Sequence, residues 1–181
     1  MVTGILALRY AKAFYAYAAE RGEENFVYDD MKHLSHQFIV FPTLRKYLAN
    51  PVLKNQNKIE LLKTACDSPC GSTLHFFDFL TSKEKLDSLL YIAMNYLTVY
   101  RKNKKIIHTV FESAAEPEPG VTEKIRNIVR RGYPDDYVVE LETIILPELI
   151  GGFRIRSGDL FMDASAKGEL ENIRKKLTSA K

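Results

Sequence analysis

Three constellations in this 181-residue chain contain residue types that do chemistry elsewhere. The first is "CDSPC", with Cys66 and Cys70 on either side of Pro69. A C-x-x-x-C pair offers two thiolate ligands where a structural zinc site takes four, and nearby His75 adds only a third. The second is His33 and His36, spaced i, i+3 on a helical pattern, which could turn two imidazoles toward one metal. No carboxylate or further histidine follows at ligand spacing, so a solvated helix face is the simpler reading.

The third constellation is the densest, "LIGGFRIRSGDLFMDASAKGEL" at 149–170. It is not a phosphate cradle. A P-loop needs its glycines just ahead of Gly-Lys-Ser/Thr, and here Lys167 precedes Gly168 with the glycine pair far upstream. The G-x-G-x-x-G dinucleotide fingerprint is missing as well. Structural roles account for its polar residues. Gly151 and Gly152 permit a kink or a close backbone approach in a strand, and Ser157–Gly158 suits a hairpin turn. Asp163 or Ser165 can cap the final helix, with Glu169 in its first turns and Arg174, Lys175 and Lys176 at its cationic end. There is no G-x-S-x-G elbow, and nothing in the spacing argues for catalysis, a cofactor or a bound metal.

The elements around these residues fall into two halves. Apolar residues make up 46% of the chain, enough for a substantial core. Up to about residue 104 their period is helical. Ala7, Ala11, Phe14 and Ala18 share a face, and Gly22 is a stop. Val27, Met31, Leu34, Phe38 and Phe41 form a second stripe. Pro42 opens a short third helix through Leu44, Tyr47 and Leu48. A fourth helix covers 54–66, a fifth carries Leu74, Phe77 and Leu80, and a sixth runs from Leu86 through Leu89, Ala93, Tyr96 and Leu97 to Tyr100. After "RKNKK" the period changes. Residues 106–114 and 137–144 read as strands flanking a helix at 121–131 with Ile125, Ile128 and Val129. The segment 150–156, a short strand at 160–162 and a helix at 165–177 with Leu170, Ile173 and Leu177 follow, so that two to three strands lie between the two helices. The expected fold is mostly α: a six-helix N-terminal bundle over 1–104, then a small α/β domain over 105–181.

Charge narrows the function classes. Lys and Arg number 26 against 23 Asp and Glu, a net +3, too weak a bias to indicate nucleic acid. The "RKNKK" run is explained by the preference of a helix C-terminus for cations. It lacks the aromatic interleaving of a strand-binding groove. The longest uncharged stretch near a helical pattern is 88–100, short of the ~20 residues of a membrane span, and the apolar N-terminus lacks the basic start of a signal peptide. A soluble, cytoplasmic protein is expected.

Four segments resemble one family. "ALRYAKAFYAYA" is similar to the opening helix of the ATP synthase delta subunit, the bacterial counterpart of the oligomycin-sensitivity-conferring protein. "YLANPVLKNQNKIELL" resembles that family's Leu-Asn-Pro turn and following helix with an early lysine, here Lys58. "FFDFLTSKEKLDSL" is similar to its phenylalanine–leucine helix and charged turn. "LPELIGGFRIRSGDLFMDASAKGEL" resembles its most distinctive region, a proline, Ile-Gly-Gly, a Gly-Asp turn, Asp-x-Ser and a last amphipathic helix. Leu146 stands where the family usually has aspartate.

The resemblance implies a non-catalytic stator subunit of the proton-translocating ATP synthase. It implies an N-terminal domain that binds the N-terminal segment of an alpha subunit, and a C-terminal domain that grips the paired b subunits of the peripheral stalk. It also implies peripheral association with the cytoplasmic face of the bacterial inner membrane, without nucleic acid. Helices one and five are the candidate alpha-facing groove, because Tyr10, Phe14, Tyr17, Phe76 and Phe79 exceed the aromatic needs of two helices in a small bundle. Phe14 and one of the two phenylalanines are equally readable as core. The rival is a helical nucleic-acid-binding protein or another adaptor.

Overall fold

The structure is a computed structural model that describes residues 2–158 and 160–179. It divides into two compact units, Met1–Asn103 and Lys104–Lys181.

The first unit is helical: α1 (Val2–Glu20), α2 (Glu24–Val40), α3 (Thr43–Ala49), α4 (Asn55–Cys66), α5 (Gly71–Ser82) and α6 (Leu89–Asn103). Ala7, Ala11 and Ala18 are completely buried, and their small side chains let α1 pack closely on α6. Gly22 ends α1 in the left-handed region, φ +69°. There the Glu23 N–H donates to Ala18 O and the Gly22 N–H to Ala19 O, so two of the carbonyls a helix end leaves open are satisfied. α6 is the central helix. Tyr96 is fully buried and donates its hydroxyl to Glu24 O at 3.2 Å, which keeps a large aromatic in the core without an orphaned O–H. Tyr100 stacks on Tyr28 at 4.1 Å and donates to Asn25 Oδ1.

Three sequence expectations change here. Phe41 lies beyond the end of α2 and is 56% exposed, and Tyr47 of α3 is 55% exposed. With Leu44 and Leu61 they line an apolar groove of about 370 Å³ instead of the core. Leu86 is buried, but in a 3-10 turn at Leu86–Ser88; the regular helix starts at Leu89.

The second unit contains β1 (Ile106–Ser113), α7 (Val121–Arg131), β2 (Val138–Ile145), β3 (Gly152–Ser157), β4 (Leu160–Ser165) and α8 (Ala166–Ser179). The sheet order is β2-β1-β3-β4. β1 and β2 are parallel through the α7 crossover, and β3 pairs antiparallel with both β1 and β4. One face packs against α7 through Ile107, Phe111, Ile125, Val129, Val139 and Ile155. Ile128, expected among the apolar contacts of α7, is 62% exposed. The larger correction is α8: Leu170, Ile173 and Leu177 are 56%, 54% and 72% exposed. Its apolar stripe is real in sequence but open in this chain. The fold is the mostly α architecture that the periodicity indicates, with a six-helix first unit and a small α/β second unit.

Candidate functional site: an aromatic groove and a wired helix cap

Tyr10, Ala13, Phe14 and Tyr17 recur at i, i+3, i+4 and i+7 and so occupy one side of α1. Opposite them on α5 stand His75, Phe76 and Phe79. Together they line a groove of about 390 Å³. Phe14 stacks on Phe76, centroids 3.8 Å apart and rings 5° from parallel. Both are buried, and they form the floor. Tyr10 meets Phe79 edge-on at 6.0 Å, and Phe79, 42% exposed, forms part of the open wall. Tyr17 OH lies 3.4 Å from His75 Nδ1. The structure therefore brings all five aromatic candidates to one place, with Phe14 and Phe76 serving the core and the groove at once. Ala13 and His75 belong to the groove too, although neither was singled out for it in the sequence. Ala13 could have been found from its i+3 spacing to Tyr10; His75 needed the packing of α1 against α5.

Carboxylates from the α1–α2 region hold α5 in place. Its first backbone N–H groups have no intrahelical partner. Ser72 N–H donates to Glu23 Oε2 at 3.0 Å, Cys70 N–H to Asp30 Oδ2 at 3.0 Å, and Thr73 Oγ1 to the same Asp30 oxygen at 2.6 Å. Negative charge at a helix N-terminus is favourable, and hydrogen bonding from Ser72 holds the Glu23 carboxyl below its ordinary value. The Asp30 carboxyl is only 8% exposed, and these donors are what make its burial tolerable.

The cysteines sit at this junction. Burial pushes the Cys66 thiol up to about 12 and raises that of Cys70, so both are protonated at neutral pH and weak as nucleophiles or ligands. His33 and His36 are exposed on α2, and among the described residues no group of three or more His, Cys, Asp or Glu could hold a metal.

In the second unit the glycine-rich segment forms a connected polar chain. Ser165 Oγ accepts from Gly168 N–H at 3.1 Å and so caps α8. Asp163 Oδ1 accepts from Ser165 N–H and Oγ at 3.0 and 2.6 Å. Arg154 Nε donates to Asp163 Oδ2 at 3.1 Å, and Arg154 Nη1 reaches Glu112 at 3.3 Å. Hydrogen bonds from Ser165, then the Arg154 charge, keep the Asp163 carboxyl below its usual range. Gly152, φ +73°, has no room for a side chain: a β-carbon there would lie 2.1 Å from Ala164 O. Gly151 has ordinary space, its nearest neighbour being 3.6 Å away. Gly158 adopts φ +56° at the hairpin; Asp159, the other half of the Gly-Asp turn, lies outside the described residues. Ser157, read as part of that turn, is the last residue of β3, buried and bonded to Thr109 Oγ1 at 2.9 Å.

The family model of the ATP synthase delta (OSCP) subunit matches residues 6–177. The chain belongs to this family. Among its relatives, the ATP synthase subunit delta of Parabacteroides distasonis is 34% identical over 175 residues, covering 96% of both chains. That of Bacteroides thetaiotaomicron is 34% identical over 177 residues, 96% of this chain and 94% of its own. A chain in the cryo-EM structure of the Toxoplasma gondii mitochondrial ATP synthase hexamer superposes with a TM-score of 0.68 at 18% identity, covering 96% of this chain and 97% of that one. The last likeness is one of fold. Among the described residues no helix is long and apolar enough to cross a membrane.

Proposed function

We propose that this accessory subunit of the ATP synthase is the joint of its stator, linking the catalytic head to the peripheral stalk and resisting the torque of the rotor, with no active site of its own. The observation that carries the reading is the coincidence of a family match along nearly the whole chain with a preformed aromatic groove. The groove between α1 and α5 takes the N-terminal segment of an alpha subunit as an amphipathic helix, its apolar side chains at i, i+3 and i+4 entering between Tyr10, Tyr17 and Phe79. Nanomolar binding needs about 12 kcal/mol, and aromatic anchors in a preformed groove are the residues that concentrate such energy.

The second unit holds the b subunits. The exposed Leu170, Ile173 and Leu177 of α8 and Leu160, Phe161 and Met162 of β4 support that assignment, because apolar residues in this number seek cover. The protein then sits on the cytoplasmic face of the bacterial inner membrane, attached through the complex. The net charge of +3 is too small a bias to favour the nucleic-acid reading.

Pull-down of the full chain from detergent-solubilised membranes tests the assignment. Co-recovery of alpha, beta and b subunits at fixed ratio is expected; a monomer free of membrane-complex subunits overturns it. For the groove, Tyr10→Ala and Phe79→Ala should each weaken binding of an alpha N-terminal peptide at least tenfold with little change in the melting curve. Equal affinity in wild type and both variants removes the groove from the interface.

A further inference from the structure

The groove changes character along its length. Tyr10 faces Phe79, Phe14 stacks on Phe76, and Tyr17 meets His75, so α1 and α5 run antiparallel and an aromatic end gives way to a polar one. One turn beyond Tyr17, the Arg21 guanidinium lies 4.6 Å from the Tyr17 ring centroid. Stacking holds the guanidinium against a fixed ring, while its in-plane N–H groups stay available for hydrogen bonding. The Glu23 carboxyl, on which the Arg21 charge acts, is hydrogen-bonded to the Ser72 N–H at the start of α5. Among the described residues no carboxylate lies within ion-pair distance of Arg21.

We propose that Arg21, held on the Tyr17–His75 shelf, is the specificity-determining residue of the groove and pairs with an acidic side chain of the docked amphipathic helix. This rests on the groove reading above and adds to it the chemistry of the occupant. Tyr10 to Tyr17 spans about 10 Å of helix, and the Arg21 guanidinium lies over the Tyr17 ring at the end of that span. The acid is therefore placed at the Tyr17 end of the groove, beside the last aromatic anchor. Aromatic walls accept aliphatic side chains in several registers, since apolar contact is non-directional. A guanidinium at one end selects one register, through hydrogen bonds that a carboxylate can accept in pairs, and rejects a helix carrying lysine or arginine at that position.

The test is a double-mutant cycle by calorimetry, using the full chain and synthetic peptides of the alpha-subunit N-terminal segment. Each peptide Asp or Glu is replaced in turn by its amide, against wild type and Arg21→Gln. The expected result is one peptide acid whose removal abolishes the effect of Arg21→Gln. That variant should lose about three- to fivefold in affinity for the native peptide at low salt and nothing for the peptide lacking the acid. The coupling should shrink as salt rises, and Arg21→Glu should regain affinity for a peptide with lysine at the same position. If the native peptide binds wild type but no acid couples to Arg21, the pairing is overturned while the groove reading stands. If the native peptide does not bind wild type at all, both fall. An unchanged melt of Arg21→Gln separates either outcome from misfolding.

Discussion

The helices of the first unit and the last helix of the second carry the same amphipathic pattern and meet different fates. In α2 and α6 the stripe is covered: Val27, Met31 and Leu34, like Leu89, Ile92 and Tyr96, are at or near zero exposure. In α8 the equivalent stripe is more than half exposed at every apolar position named above. Periodicity thus marks a face that needs cover without saying which chain supplies it. The first unit leaves part of its apolar surface in concave grooves, one between α1 and α5 and one lined by Phe41, Leu44, Tyr47 and Leu61. The second spreads it over a convex helix and an edge strand.

The sharpest way to probe this contrast is to damage each unit separately. Phe77 is completely buried in α5, so Phe77→Ala should destabilise the first unit by about 3–5 kcal/mol. Hydrogen exchange should rise through α1, α2, α5 and α6 and leave β1–β4 unchanged; a loss below about 1 kcal/mol means that the bundle is not closely packed there. Gly152→Ala should do the converse. Positive φ and the collision with Ala164 O together place its cost at about 3 kcal/mol or more, read as exchange at β3 and β4 with the bundle protected. A neutral result contradicts the close strand approach.

Ser165→Ala removes the α8 cap and should cost about 1 kcal/mol, seen as faster exchange in the first turn of α8. Asp163 gives that cap a pH dependence with a definite sign. Its folded-state carboxyl is lowered, so its contribution is fully present above the ordinary carboxylate value near 4 and is lost as pH falls through the lower folded value. In Asp163→Asn that acid-side loss of α8 protection should be absent; an unchanged acid profile assigns the transition to other groups. The smallest effect belongs to the open stripe. Leu170→Ser with Ile173→Ser should alter stability of the isolated chain by no more than about 0.5 kcal/mol per site, and a loss of several kcal/mol in a melt means that α8 is covered within the chain.

Much of this was legible from local pattern. The heptad-like stripes gave α1, α2 and α6, the change of period gave the second unit, and Asp-x-Ser ahead of an amphipathic run gave the cap. Residues whose role depends on distant partners were not legible. Arg154 joins Glu112 to Asp163 only because β3 pairs with β1 on one side and β4 on the other, a register that spacing within 149–170 does not encode. Asp30 and Glu23 appear in sequence as ordinary helix-surface acids, and only the placement of α5 makes them its caps. Phe41 and Tyr47 fit a helical stripe by type but fall where α2 ends and α3 turns outward. Leu86 fits a helical stripe because a 3-10 turn presents nearly the same spacing over its few residues.

The carboxylates under α5 have one more consequence. Glu23 fastens the end of α1 to the start of α5 at the Tyr17–His75 end of the groove, and Asp30 ties the same end of α5 to α2. Under the proposed docking, the groove is set in advance and the loss of conformational freedom falls mainly on the incoming segment. Stiffening that segment in advance, rather than enlarging its contacts, is then the direct route to a longer-lived grip.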